Sequence, residues 1–129
     1  MATTATRKPT TSELEILHVL WERGPSTVRE VHEALQEKRP IGYTSVLKLM
    51  QIMTAKGTVR RNEEQRAHVY AAVQPQEKTK RDFALDMLQR VFDGSASELM
   101  MHALAGRRAS KEEIEEMRRL LNEHERKIR

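Results

Sequence analysis

Gly42-Tyr43-Thr44-Ser45-Val46-Leu47-Lys48-Leu49-Met50-Gln51-Ile52-Met53-Thr54-Ala55-Lys56-Gly57 reads as one helix with two unlike faces. Val46, Leu49, Met50 and Met53 recur three and four residues apart, so they form one apolar side that needs a core. Thr44, Leu47, Lys48 and Gln51 repeat the same spacing on the opposite side. Gly57 supplies the left-handed residue that ends such a helix. Beyond it the period changes. Val59-Arg60-Arg61-Asn62 and His68-Val69-Tyr70-Ala71 flank a polar stretch from Glu63 to Arg66, which predicts a two-stranded hairpin with a charged tip.

Upstream, Ser12-Glu13-Leu14-Glu15 has the pattern of a capping box, with Ser12 as the cap and Glu15 reaching back. Leu14, Leu17 and Trp21, with Ile16 and Leu20, continue at helical spacing, and Trp21 is assigned to the core. Gly24-Pro25 stops that helix. Ser26 and Thr27 offer the next cap, Val28, Val31, Ala34 and Leu35 form the next stripe, and Arg39-Pro40 ends it. Three short helices followed by a basic hairpin is the order of a winged helix-turn-helix, placed at residues 12–75. Residues 1–11 read as a disordered arm, polar and without an apolar signal region.

Gln74-Pro75-Gln76 marks a break. Residues 76–129 then carry three more helical patterns. The first, about 77–93, presents Phe83, Met87, Leu88, Val91 and Phe92 and is closed by Gly94. The second starts at a Ser95–Glu98 capping box, presents Leu99, Ala103 and Leu104, and stops at Gly106. The third starts at a Ser110–Glu113 box and presents Ile114, Met117, Leu120, Leu121 and Ile128, with His124 on the same stripe. Alternating spacings of three and four resemble a helix-pairing seam. The expected fold is mainly α with a small β-hairpin: a winged helix-turn-helix plus a C-terminal helical dimerisation region. Its dimer contacts are assigned to Phe83, Met87, Leu88, Val91, Leu99, Leu104, Ile114, Met117 and Leu121.

Composition narrows the function. In 129 residues only 38% are hydrophobic and 33% are charged, a thin core for a self-sufficient domain, which favours burying apolar surface between two subunits. The net charge of +4 is unevenly placed. Between Arg39 and His68 stand Arg39, Lys48, Lys56, Arg60, Arg61 and Arg66 against Glu63 and Glu64, whereas from Gln76 onward acids and bases nearly balance. The absence of cysteine excludes disulfides and thiolate metal sites. No apolar run approaches the ~20 residues that span a bilayer, so membrane insertion is not expected and a cytoplasmic location is.

The outer face of the third helix suits a DNA groove. Thr44 and Ser45 can bond phosphates or base edges, Lys48 phosphate or guanine, Gln51 adenine, and Leu47 a thymine methyl. Tyr43 is expected to pack at the base of this helix and to reach phosphate secondarily. Arg60, Arg61 and Arg66 can lie along phosphates or enter the minor groove. His68 serves either as a packing residue or as a phosphate donor. Taken singly, each of these also suits a solvated face, and Glu63 and Glu64 are available partners for the wing arginines; the combination is what points to DNA. Five aromatics, not clustered, speak against an RNA-stacking surface. A winged helix that binds only protein is the rival from another class.

No enzyme chemistry emerges. His18, His32, His68, His102 and His124 never pair at metal-ligand spacing, and there is no H-E-x-x-H, Gly-rich phosphate loop or nucleophile elbow. Asp82 and Asp86 read as a solvated carboxylate pair rather than an acid/base couple. No catalytic residue, metal or cofactor is assigned.

Leu14-Glu15-Ile16-Leu17-His18-Val19-Leu20-Trp21, Gly24-Pro25-Ser26-Thr27-Val28-Arg29-Glu30-Val31, Gly42-Tyr43-Thr44-Ser45-Val46-Leu47-Lys48, Lys56-Gly57 and Arg66-Ala67-His68-Val69-Tyr70 together resemble the penicillinase-repressor (BlaI/MecI/CopY) family. The resemblance spans almost everything after the arm. It implies a bacterial homodimeric repressor that binds a palindromic operator with TACA/TGTA-like half-sites through its winged helix and dimerises through its C-terminal helices. It also implies a membrane sensor-protease as a partner. Three features depart from the family pattern. Met101-His102 stands where the antibiotic-resistance repressors carry a cleaved Asn-Phe bond; the cysteine motif of the copper-responsive members is missing; and Leu47 replaces a residue that is often basic or polar.

Overall fold

A computed structural model describes residues 8–129. The order is α1 (Thr11–Arg23), β1 (Ser26–Thr27), α2 (Val28–Gln36), α3 (Tyr43–Lys56), β2 (Val59–Asn62), β3 (Val69–Ala72), α4 (Gln76–Arg90), α5 (Ala96–Gly106) and α6 (Lys111–Lys127). The chain divides into two compact units, up to Asp82 and from Phe83 onward. The break at Gln74–Pro75 is thus where α4 begins, while the first unit runs on into that helix and buries Thr79.

In the first unit α1, α2 and α3 pack on one another, and α1 and α3 also pack on the sheet. The core is Ile16, Leu17, Val19, Leu20, Val28, Val31, Leu35, Val46, Met50, Met53, Val59 and Tyr70, the apolar stripes of three helices closed by one residue from each wing strand. Truncating a buried Leu, Ile or Met of such a core to Ala costs about 2–5 kcal/mol. Trp21 is a correction: it lies half-buried at the rim, and its Nε1 donates to the Gln74 carbonyl at 3.0 Å. An indole N–H needs an acceptor, which the rim supplies and an apolar core would not.

The hairpin pairs Val59 with Ala72, Arg60 with Ala71, Arg61 with Tyr70 and Asn62 with Val69. β1 is too short for any sequence period to reveal it. Ser26 and Thr27 pair antiparallel with Tyr70 and Val69, giving a three-stranded sheet in the order β1-β3-β2. His68 precedes β3 and is exposed, so it is neither a strand nor a packing residue.

α1 is capped two residues earlier than its pattern suggested. Thr10, in extended conformation, accepts from the Glu13 N–H, and the Glu13 carboxylate accepts from the Thr10 N–H. Two S/T-x-x-E frames overlap here. The earlier one wins because it buries Glu13 against Lys56, whose Nζ lies 3.0 Å from Oε1, and releases Glu15 to accept from Arg39 at 2.7 Å. The expected arm therefore stops short of residue 11, and its first seven positions lie outside the described residues. Thr27 caps α2 through a second complete box with Glu30. Gly57 closes α3 with φ +87°, as its position predicts.

The second unit holds the remaining helices. Regular helix ends at Arg90 rather than Asp93, and a turn through Gly94 at φ +85° follows. α5 ends at Gly106, as its position predicts. Ser95 and Ser110 cap α5 and α6 by accepting from the Glu98 and Glu113 N–H groups. The Glu113 carboxylate accepts from Arg107 at 2.6 and 2.7 Å, and a guanidinium is a stronger donor than the backbone N–H a capping box would offer. No side chain of residues 83–129 is fully buried.

Candidate nucleic-acid interface

α3 is anchored by Val46, Met50 and Met53, all at 0% exposure. That burial turns Thr44, Ser45, Lys48 and Gln51 to solvent. Leu49 fills the edge of the buried face, as its spacing predicts. Leu47 is not freely exposed: it is half-buried and packs partly on the core, which reduces what it can offer a groove. Tyr43 is 46% exposed at the start of α3, with its ring edge-on to His32. It stands beside α2 rather than in the core.

The wing carries Arg60, Arg61, Arg66 and His68, all exposed. β2 packs against α3, so strand and helix belong to one unit. Ion pairing separates the cations of residues 39–68. Arg39 binds Glu15, Lys56 binds Glu13, and Arg61 donates through Nε to Glu63 at 2.7 Å. The Tyr70 hydroxyl and Glu63 together hold the Arg61 guanidinium more firmly protonated than usual. Among the described residues Lys48, Arg60 and Arg66 have no ion pair. The basic excess seen along the chain therefore reduces to three cations, one on α3 and two on the wing. These carry charge that no carboxylate of the fold neutralises locally, which is what counterion release from phosphate requires.

The residues assigned to dimer contacts sit at the α4 end and along α5 and α6. Met87, Val91, Leu104, Ile114 and Leu121 are exposed, and Phe83, Leu88, Leu99 and Met117 are half-buried. Met101 and His102 lie on α5, exposed, with the His102 ring 5.7 Å from that of Phe92. Among the described residues no three His, Asp or Glu side chains converge as a metal site, and no helix is long and apolar enough to cross a membrane.

Two features escape a reading by spacing. The Glu13–Lys56 pair joins residues 43 apart, and the only local hint is Glu13 falling three after Thr10. His32, which sequence offers only as one of five scattered histidines, contacts the α2–α3 turn. Its Nε2 is 2.8 Å from the Ile41 carbonyl.

A family model described as penicillinase repressor matches residues 9–123. The chain is 34% identical over 115 residues to the transcriptional regulator BlaI of Mycobacterium tuberculosis, a match covering 88% of this chain and 82% of that one. It is 21% identical over 111 residues to the methicillin resistance regulatory protein MecI of Mammaliicoccus sciuri, covering 86% and 90%. MecI of Staphylococcus aureus strain N315 is 20% identical over the same length.

Proposed function

Because the chain belongs to the penicillinase-repressor family, a family of transcriptional repressors rather than enzymes, we propose that it acts as a homodimer on a palindromic operator with TACA/TGTA-like half-sites. In this reading α3 enters the major groove and the wing follows the adjacent backbone. Thr44, Lys48 and Gln51 face base edges, Tyr43 and Ser45 the phosphates at the helix start, and Leu47 a thymine methyl at the margin. Arg60, Arg66 and His68 reach phosphate, and Arg61 does so only by exchanging Glu63 for it. The observation that carries the reading is the survival of Lys48, Arg60 and Arg66 as uncompensated cations on α3 and the wing, while Arg39, Lys56 and Arg61 are neutralised within the fold.

The dimer is assigned to the second unit, because a unit with no buried side chain gains little stability alone. Val91, Leu121 and Ile128 are each more than half exposed there. Two subunits so joined address half-sites about one helical turn apart. Release is assigned to a membrane sensor-protease. Cleavage at Met101-His102 would require α5 to open, since that bond lies within the helix.

The test is a binding titration on the DNA footprinted upstream of the gene, repeated across a salt series. Operator affinity should fall steeply with salt, and Lys48→Ala should cost about 1–3 kcal/mol. Absence of salt-dependent binding to any such DNA would instead favour the protein-only scaffold.

A further inference from the structure

α3 begins differently from the two helices before it. α1 and α2 each start with a complete capping box, whereas α3 starts at Gly42 with no side-chain cap. Its entry is held from outside, by α2. The His32 ring places Nε2 2.8 Å from the Ile41 carbonyl, and the Gln36 side-chain oxygen accepts from the Ile41 N–H at 3.4 Å. Both backbone polar groups of the residue before the cap are thus engaged by α2. The same imidazole meets the Tyr43 ring edge-on, with centroids 5.8 Å apart and planes at 80°. His32 therefore contacts the residues on either side of Gly42.

We propose that His32 is a positioning residue for DNA recognition: by gripping Ile41 and Tyr43 it sets the angle at which α3 leaves α2, and with it the placement of Thr44, Lys48 and Gln51. A carbonyl oxygen only accepts, so Nε2 carries a proton in the neutral ring, and Nδ1 is left unprotonated. The surroundings fit a brace rather than a ligand site. Arg29, Glu33, Gln36 and Glu37 share an open hollow with His32 and Tyr43, where two carboxylates disfavour an anion. Val46 pins the first turn of α3 from the core side, and in place of a side-chain cap the contacts from α2 hold its outer side at Ile41 and Tyr43; small misplacement of a recognition surface forfeits base contacts while sparing loose phosphate contacts.

The inference rests on the reading of α3 as the recognition helix, and its test separates the two. His32→Phe keeps a ring beside Tyr43 but deletes the donor, and His32→Gln keeps an amide nitrogen near the Nε2 position. In the full-length protein His32→Phe should lower operator affinity about tenfold. Affinity for unrelated DNA at low salt should stay at the wild-type level, and His32→Gln should restore most of the loss. If His32→Phe does not fold, His32→Gln and His32→Asn replace it, because the Asn amide reaches the Nδ1 position instead. Only Gln should then retain affinity. Wild-type operator affinity in the donor-deleted variant, or an equal loss on operator and unrelated DNA, overturns the proposal. Ring nitrogen NMR of the wild type judges the brace without DNA: the Nε2–H tautomer supports it and the Nδ1–H tautomer overturns it. Failure of the wild type to bind any operator instead refutes the recognition-helix reading.

Discussion

Replacing Lys56 with Met removes the partner of a carboxylate that has almost no access to water. Glu13 is 2% exposed, and its two oxygens lie 3.0 and 3.1 Å from the Lys56 Nζ. Among the described residues its other donor is the Thr10 N–H, at 3.2 Å. Breaking a buried ion pair from one side costs about 3–5 kcal/mol, because the remaining charge is stranded. The Lys56 side chain keeps 20% of its surface, so the pair is partly screened, and the expected cost falls to about 2–3 kcal/mol. Glu13→Gln keeps the shape and an acceptor for Thr10, and should cost about 1–2 kcal/mol. The double variant strands no charge, so its cost should fall about 1–2 kcal/mol short of the sum. Urea unfolding at one fixed protein concentration provides the assay. Trp21, the only tryptophan, reports on this unit from its rim through the bond to Gln74. A Lys56→Met protein within about 0.5 kcal/mol of wild type, or a strictly additive double variant, would refute the stranded-charge argument.

Arg66→Ala should weaken operator binding and flatten its salt dependence by about one phosphate contact, whereas Arg61→Ala should do less, because Glu63 already holds that guanidinium; equal losses in a titration would contradict this. The Arg39 guanidinium hydrogen-bonded to Glu15 holds that carboxyl below the usual glutamate range. The pair's small contribution to stability is therefore present above the unfolded-state value and lost as pH falls through the lowered one. Carboxyl NMR should show a low Glu15 midpoint that returns to the ordinary range in Arg39→Gln. Gly57→Ala meets no atom within 4 Å, so its cost should be purely conformational, about 1 kcal/mol by urea unfolding. A chain ending at Asp82 should sediment as a folded monomer, and a stable dimer would overturn the assignment of dimer contacts to the second unit.

The sequence by itself determined the helices of the first unit, the hairpin, the Gly57 stop and most of the core, because these follow from periodicity and backbone chemistry within a few residues. It also identified Thr44, Leu47, Lys48 and Gln51 as one face, since helical spacing alone puts them there, and of these the fold leaves Thr44, Lys48 and Gln51 exposed. What tertiary structure decided is which cations remain available. Arg39, Lys56 and Arg61 look no different in sequence from Lys48, Arg60 and Arg66. Two of the three are neutralised by glutamates of α1, and the third by Glu63 beside a tyrosine from the paired strand. The same long-range pairing moved the α1 cap from Ser12 to Thr10, because burying Glu13 beside Lys56 favours one of two locally equivalent frames. It also drew Trp21 to the rim, Leu47 inward, Ser26 and Thr27 into the sheet, and His32 onto the turn before α3. Spacing along the chain fixes which side chains share a face; only folding brings together the charges and hydrogen-bond partners that decide what each of them is free to do.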